Sequence, residues 1–202
     1  MQLDHIFIIT LPHRKDRLNS ITSQLDAFGL EYEVFNGVNG KKIKAKYASD
    51  NANVGCTASH GQVLQRAQIM GLSNCLVLED DCELSDDFLQ RINDLLLPDN
   101  WDLCYLSGTH REQPIKVNDT ISICVKTLTT HAYIVNIQKD SIYRLRHRLL
   151  YAFEEPVDCY FANLQKFNYF YVLKKPIAWQ KGGYSDINGR VMYYEWLKEE
   201  IK

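Results

Sequence analysis

The sequence predicts one α/β domain over residues 1–202, with a mostly parallel central sheet, flanking helices and a mixed C-terminal part. Three observations predict it. Short apolar runs rich in β-branched residues alternate with segments of helical period through the first half, the order expected of a sheet wrapped by helices. The length of 202 residues suits a single sizeable core. No internal repeat or low-complexity linker divides the chain.

HIFIIT at residues 5–10 is a β-branched run that Leu11-Pro12 ends, and it predicts the first buried strand. Leu18, Ile21, Leu25 and Phe28 then recur at helical spacing, and Gly29 closes that helix. The connection carries His13, Arg14, Lys15 and Arg17. Cations beside a helix N-terminus are disfavoured unless an anion sits there too, so Arg14 and Arg17 are candidates for phosphate contacts, with a solvated basic turn as the alternative. Residues 32–35 predict a second strand, followed by a turn-rich NGVNG. Residues 41–53 are polar and weakly patterned, which predicts an exposed excursion. A second helix is expected to start near Cys56 or Thr57 and stop at Gly71, with Val63, Leu64, Ala67 and Met70 on its apolar face. Ser59 and His60 fall in its first turns, and His60 is able to titrate or ligate near neutral pH, with a structural or surface role as the alternative.

CLVLEDD at residues 75–81 reads as a buried strand that delivers three acids at its end. In a strand extended through that end, Glu79 and Asp81 project to one side and Asp80 to the other. A same-side carboxylate pair at a carboxyl strand end suits a hard cation; a solvated acidic turn is the alternative. Ser85-Asp86-Asp87 is expected to cap a helix with Phe88, Leu89, Ile92, Leu95 and Leu96 inward, stopped by Pro98. Residues 103–106 predict a strand, and residues 121–125 and 132–137 two strands paired with each other. Residues 138–150 predict a basic helix with Leu145 and Leu149 inward. Pro156-Val157-Asp158 opens a short helix to Lys166, with Asp158 in or near its first turn. Residues 170–173 predict an aromatic-rich strand, residues 179–189 a glycine-rich polar loop, and residues 192–201 a closing amphipathic helix.

A net charge of −2 gives no electrostatic case for nucleic acid. No apolar run approaches the roughly 18–20 residues of a spanning helix, and the N-terminal MQLDHIFIIT lacks a basic signal-peptide region, so a cytoplasmic location is expected. The six cysteines form no CxxC and no paired zinc-ligand spacing, which predicts buried thiols rather than a disulfide framework.

An EF-hand does not fit the acidic run. Counting from Asp80 puts Cys82 at the third position, and counting from Asp81 puts Asp86 where glycine is needed and Ile92 where glutamate is needed. A phospho-accepting receiver domain also opens on an acidic strand end and uses a late Lys-Pro such as Lys175-Pro176. It needs a phosphorylatable aspartate after the next strand, where Ser107-Gly108 stands here. A nucleotide-sugar transferase uses such acids to hold a cation against a departing diphosphate.

In order and spacing, IFIITLPHRKDR, FNGVNG, GCTASH, LVLEDDCEL, WDLCYLSG, THAYIV, PVDCYF and WQ with the later SDI resemble glycosyltransferase family 25, over nearly the whole chain. Bacterial members of that family build lipopolysaccharide and animal relatives galactosylate collagen. The resemblance implies a GT-A-like domain and inverting, metal-dependent transfer from a UDP-sugar, most often UDP-galactose. It further implies Mn²⁺ (or Mg²⁺) and a glycan or lipid-linked saccharide acceptor. On it, Glu79 and Asp81 take the part of the two acids of an aspartate-any-aspartate motif, with Asp81 first as direct ligand. Asp80 contacts ribose or holds the loop. Thr10, Arg14, Arg17 and Asn36 fall among the donor contacts, although Thr10 stands where asparagine is more usual. This fold often recruits a late histidine to the metal, and none follows His147. Gln180 or Asp186 is the substitute, and Lys181 approaches the diphosphate. Asp158 is the first choice for the base that deprotonates the acceptor hydroxyl and Glu155 the second, against a plain helix-dipole role for Asp158. A catalytically inactive nucleotide-sugar-binding module of the same fold is the alternative function.

Overall fold

The computed structural model of the chain describes residues 1–40, 51–151, 155–185 and 189–201. Its first half follows the expected alternation. Strand β1 (Ile6–Thr10) leads to helix α1 (Lys15–Ala27) and strand β2 (Glu33–Asn36); helix α2 (Asn51–Ile69) leads to β3 (Asn74–Glu79). Gly29 takes φ +67°, a left-handed conformation that ends α1 at little steric cost. After a turn come β4 (Cys82–Leu84), α3 (Phe88–Asp94) and β5 (Leu103–Tyr105). The second half has β6 (Thr109–Glu112), β7 (Ile115–Lys116), β8 (Ile121–Ile123), β9 (Lys126–Leu128) and β10 (Ala132–Asn136). Helices α4 (Asp140–Tyr151) and α5 (Val157–Leu164) precede β11 (Phe170–Leu173), β12 (Ala178–Gln180), β13 (Gly183–Ser185) and β14 (Arg190–Met192).

The main sheet has the order β2-β1-β3-β10-β5-β11-β8-β7. β10 and β8 run against the other six strands. The result is the mostly parallel sheet with a mixed C-terminal part that the sequence predicts. Its strands read as continuous apolar runs because both faces are covered. Phe7, Val77, Tyr133, Tyr105 and Phe170 face α2, α4 and α5, while Ile8, Leu76, Leu78, Ile134 and Cys104 face α1 and α3. Each such side chain fully buried contributes about 1.5–3 kcal/mol relative to exposure. Because β1, β2 and β3 are parallel, their carboxyl ends meet at one edge, with Thr10 opposite Asn36 and Ile9 opposite Glu79. That edge positions the site.

Several expectations are corrected. α2 begins at Asn51, not near Cys56, so residues 51–53 belong to the helix; residues 41–50 of the expected excursion lie outside the described residues. Met70 falls just past its end and is exposed. α3 stops at Asp94, so Leu95 is buried from an extended segment and Leu96 is 81% exposed. The strands expected to pair with each other part company: β8 joins β11 and β7, and β10 inserts antiparallel between β3 and β5. The expected glycine-rich loop at residues 179–189 includes the end of β12 and the strand β13, which pairs with β14 beyond it. The closing helix is only a 3₁₀ turn, Glu195–Lys198. The chain there is held instead by Ser107 Oγ, which donates to Leu197 O at 2.6 Å, and by Ile201 N, which donates to Lys174 O at 2.8 Å. The thiols follow expectation: all six cysteines are free, and Cys75, Cys82, Cys104 and Cys124 are buried.

Candidate active site

β3 ends at Glu79, and Asp80-Asp81 turn the chain into β4, which pairs antiparallel with β12. The strand therefore does not stay extended through the acids. All three line one cavity at the β1–β3 edge, which corrects the expectation that Asp80 points away from the other two. The turn is pinned on both sides by backbone: Asp80 N donates to Ile9 O at 3.1 Å, and Lys181 N to Asp81 O at 2.7 Å.

Each acid has a different setting. Glu79 Oε1 accepts from Thr130 Oγ1 at 3.0 Å and lies 3.4 Å from His60 Nε2. Burial acts to raise the Glu79 carboxyl, but the proximity and charge of His60, with His131 and Thr130, outweigh it and hold it below its ordinary value. Asp80 Oδ2 accepts from Thr10 Oγ1 at 2.6 Å, and its Oδ1 lies 3.5 Å from Arg17. Burial raises its carboxyl in spite of those partners. Asp81 Oδ2 accepts from Arg17 Nη1 and from Gln180 Nε2, both at 3.0 Å. Its Oδ1 is buried and meets no donor among the described residues. Burial first, then the Glu79 charge, push the Asp81 carboxyl up to about 7.

Asp102 shows what a structural buried carboxylate looks like in the same molecule. Ser141 Oγ donates to its Oδ1, and Tyr169 N to its Oδ2 at 2.7 Å. Both Asp102 oxygens are satisfied, and Asp81 keeps one bare. An unsatisfied buried polar atom costs about 1–3 kcal/mol, more when charged, and a proton or a cation offsets that cost.

Thr10, Arg14, Arg17 and Gln180 also line the cavity, as the sequence predicts. Arg14 caps α1, with its guanidinium 5.9 Å from the Tyr184 ring centroid. Arg17 additionally donates to Tyr184 O at 2.5 Å, which ties the β13–β14 hairpin to the triplet. Lys181 faces an adjoining groove and pairs with Glu83 at 3.6 Å. Asn36 is exposed and is not among the lining residues; Gly37, Val38, Asn39 and Gly40 line the cavity in its place. Asp158 is half-buried in the first turn of α5 and Glu155 accepts from Asn163 Nδ2, and neither lines the cavity. The Asp158 charge still contributes to raising the Cys56 thiol, after burial and the Glu79 charge. Asp186 lies outside the described residues. Sequence reasoning missed Cys56 and Ser59 as cavity residues and noted His60 without assigning it. GCTASH was the available signal, since Cys56 and His60 share a helical face. His131 is buried in the core with Nε2 3.3 Å from Ala178 O.

A family model described as "Glycosyltransferase family 25 (LPS biosynthesis protein)" matches residues 3–176. The chain belongs to glycosyltransferase family 25. A glycosyltransferase 25 family member of Aedes aegypti is 24% identical over 165 residues, taking in 68% of this chain and 27% of that protein. Procollagen galactosyltransferase 1-A of Xenopus laevis is 22% identical over 167 residues, again 68% of this chain and 27% of the relative. An inactive glycosyltransferase 25 family member 3 of Mus musculus is 25% identical over 130 residues, 52% of this chain and 22% of the relative. The chain thus spans about a quarter of the length of these curated relatives. The family 25 match covers β1, the acidic triplet and α5, and stops before Gln180 and the hairpin. No helix among the described residues is long and apolar enough to cross a membrane.

Proposed function

We propose that this domain transfers a hexose, galactose in first place, from a UDP-sugar to a hydroxyl of a glycan or lipid-linked saccharide. The transfer inverts the sugar carbon and depends on a divalent ion, Mn²⁺ or Mg²⁺. Membership in family 25 supports the transferase class, and the name of the Xenopus relative supports galactose. One observation carries the metal reading: the bare, buried Asp81 Oδ1 beside two further carboxylates, in a cavity that arginines also line.

The donor set fits a hard cation, being all carboxylate oxygen. Asp81 and Glu79 would hold it, and when bound it neutralises charge on the departing diphosphate. Arg14 and Arg17, at the start of α1, would bind the phosphates where the helix N-terminus also favours an anion. Gln180 and Arg17 keep the Asp81 carboxylate oriented through its other oxygen. Asp80, clamped by Thr10, fixes the end of β1 against the triplet. Asp158, in the first turn of α5, is the proposed base that takes the acceptor hydroxyl proton, a role that rests on the family resemblance of the PVD segment.

A donor-binding module without turnover is the second reading. It is favoured by the position of Asp158 and Glu155 outside the cavity lining and by the inactive mouse relative. One experiment separates the two. Protein with Mn²⁺ and a panel of sugar nucleotides is expected to release UDP, fastest from UDP-galactose. Donor binding by calorimetry with no UDP release for any acceptor or water establishes the module; no binding at all overturns both readings.

A further inference from the structure

We propose that Cys56, His60 and Glu79 form a second metal site, for Zn²⁺ or a similarly thiophilic divalent ion, set in the wall of the same cavity. Cys56 and His60 are four residues apart on α2 and so share one helical face. Glu79 arrives from the end of β3, and the candidate ligand atoms of the three all lie within 4.8 Å of one another. Tetrahedral zinc, with bonds of about 2.0–2.3 Å, needs its ligand atoms roughly 3.3–3.8 Å apart. His60 Nε2 and Glu79 Oε1 already stand 3.4 Å apart.

His60 supplies the independent observation. The side chain is completely buried, and its Nε2 has no hydrogen-bond partner among the described residues. Nδ1 lies 2.9 Å from the Tyr133 hydroxyl. When Nδ1–H donates to that oxygen, Nε2 presents its lone pair toward Glu79 and Cys56. Metal-bound histidines are oriented by such a partner on the other ring nitrogen. Thr130 steadies Glu79 in the same way. Sulfur, imidazole and a single carboxylate make a softer set than the oxygen set around Asp81, and they favour zinc over manganese. All three residues line the cavity, so water or another ligand from it would complete the coordination. Zinc there releases the thiol proton to solvent and engages Glu79, so it competes with any ion that Asp81 and Glu79 hold together.

Cobalt is the probe, because a Co²⁺–thiolate bond gives a near-ultraviolet charge-transfer band that oxygen ligands do not. The metal-free chain, kept reduced, is titrated with Co²⁺ and then with Zn²⁺. One equivalent of cobalt is expected to produce the band and zinc to abolish it. Cys56→Ser is expected to remove the band, and Tyr133→Phe to weaken cobalt binding about 10-fold. Asp81→Asn is expected to leave the band intact, which separates this site from the donor site. Thermal unfolding of each variant confirms that it is folded. No thiolate band in the wild type, or an undiminished one in folded Cys56→Ser, overturns the proposal. The readout does not involve UDP release, so failure of the transferase reading leaves it standing and the reverse.

Discussion

Glu79 and Asp81 are two residues apart in one acidic triplet and have opposite electrostatic settings. Glu79 leans on His60 and Thr130, and its carboxyl is held below the ordinary range. Asp81 turns inward with one oxygen committed to Arg17 and Gln180 and the other bare, and its carboxyl is pushed up to about 7. Adjacent buried carboxylates that interact this strongly titrate as a unit. Of the two, Asp81, pushed up to about 7, is the carboxyl that takes up a proton as pH falls through neutrality. We propose that the difference marks Asp81 as the primary ligand, its carboxyl raised by burial first and by the Glu79 charge second.

If that contrast is right, the two acids are not interchangeable. Asp81→Asn is expected to lower Mn²⁺-dependent UDP release at least about 100-fold, with unchanged circular dichroism. Glu79→Gln is expected to cost only about 10-fold, because Asp81 keeps its bare oxygen and loses a repelling neighbour. Steady-state UDP assays on both variants measure the gap. Equal losses would erase the distinction.

The pH dependence of stability sharpens it further. A carboxyl whose folded pKa is raised binds more protons folded than unfolded between about 4 and 7, so its contribution is complete below about 4 and disappears as pH rises through about 7. Metal-free wild type is expected to lose about 2 kcal/mol more than Asp81→Asn across that window, which is less than the full shift implies at roughly 1.4 kcal/mol per unit because neighbours relax. Glu79 acts with the other sign: its contribution is lost as pH falls through its lowered folded value. Denaturant melts of wild type and variant from pH 4 to 8 test this; parallel curves would remove Asp81 from the account. A smaller effect concerns the Glu79 side alone. A Cβ at Gly55 would lie 2.5 Å from Val38 O and 2.6 Å from Gly40 N. Gly55→Ala is expected to cost about 1–2 kcal/mol in thermal or chemical unfolding. It is also expected to shift Cys56 and His60 while the Arg17–Asp81 pair stays in place, as amide chemical shifts would report.

The elements legible in the sequence are those whose signal is local. β1, β3, β5 and β11 are apolar runs buried on both faces, and α1 and α4 carry their inward residues at helical spacing. The triplet, with Arg14, Arg17, Thr10 and Gln180, was legible as a candidate site for the same reason. What failed depends on partners far along the chain. The Asp80-Asp81 turn exists because β4 pairs with β12, where Glu83 meets Trp179. β8 pairs with β11 rather than with β10 because Tyr171 and Leu173 offer a buried edge. Leu197 and Ile201 have helical spacing and are buried, but carbonyl and amide bonds to Ser107 and Lys174 draw that segment out. The Cys56–His60–Glu79 group was hidden because its third member comes from a different element.

Gly55 also bears on how this cavity can change. Ser59 Oγ donates to Gly55 O at 2.6 Å and accepts from Val38 N at 2.8 Å, so α2 and the wall at residues 37–40 touch main chain to main chain. The bridge between them is the small Ser59 hydroxyl. In most clefts, trimming or enlarging a side chain resizes the opening; along this seam the gauge is fixed by the backbone itself. A designer seeking room for a bulkier donor would find it on the opposite bank, where the β13–β14 hairpin is fastened through Arg17 and can be refastened by changing one residue.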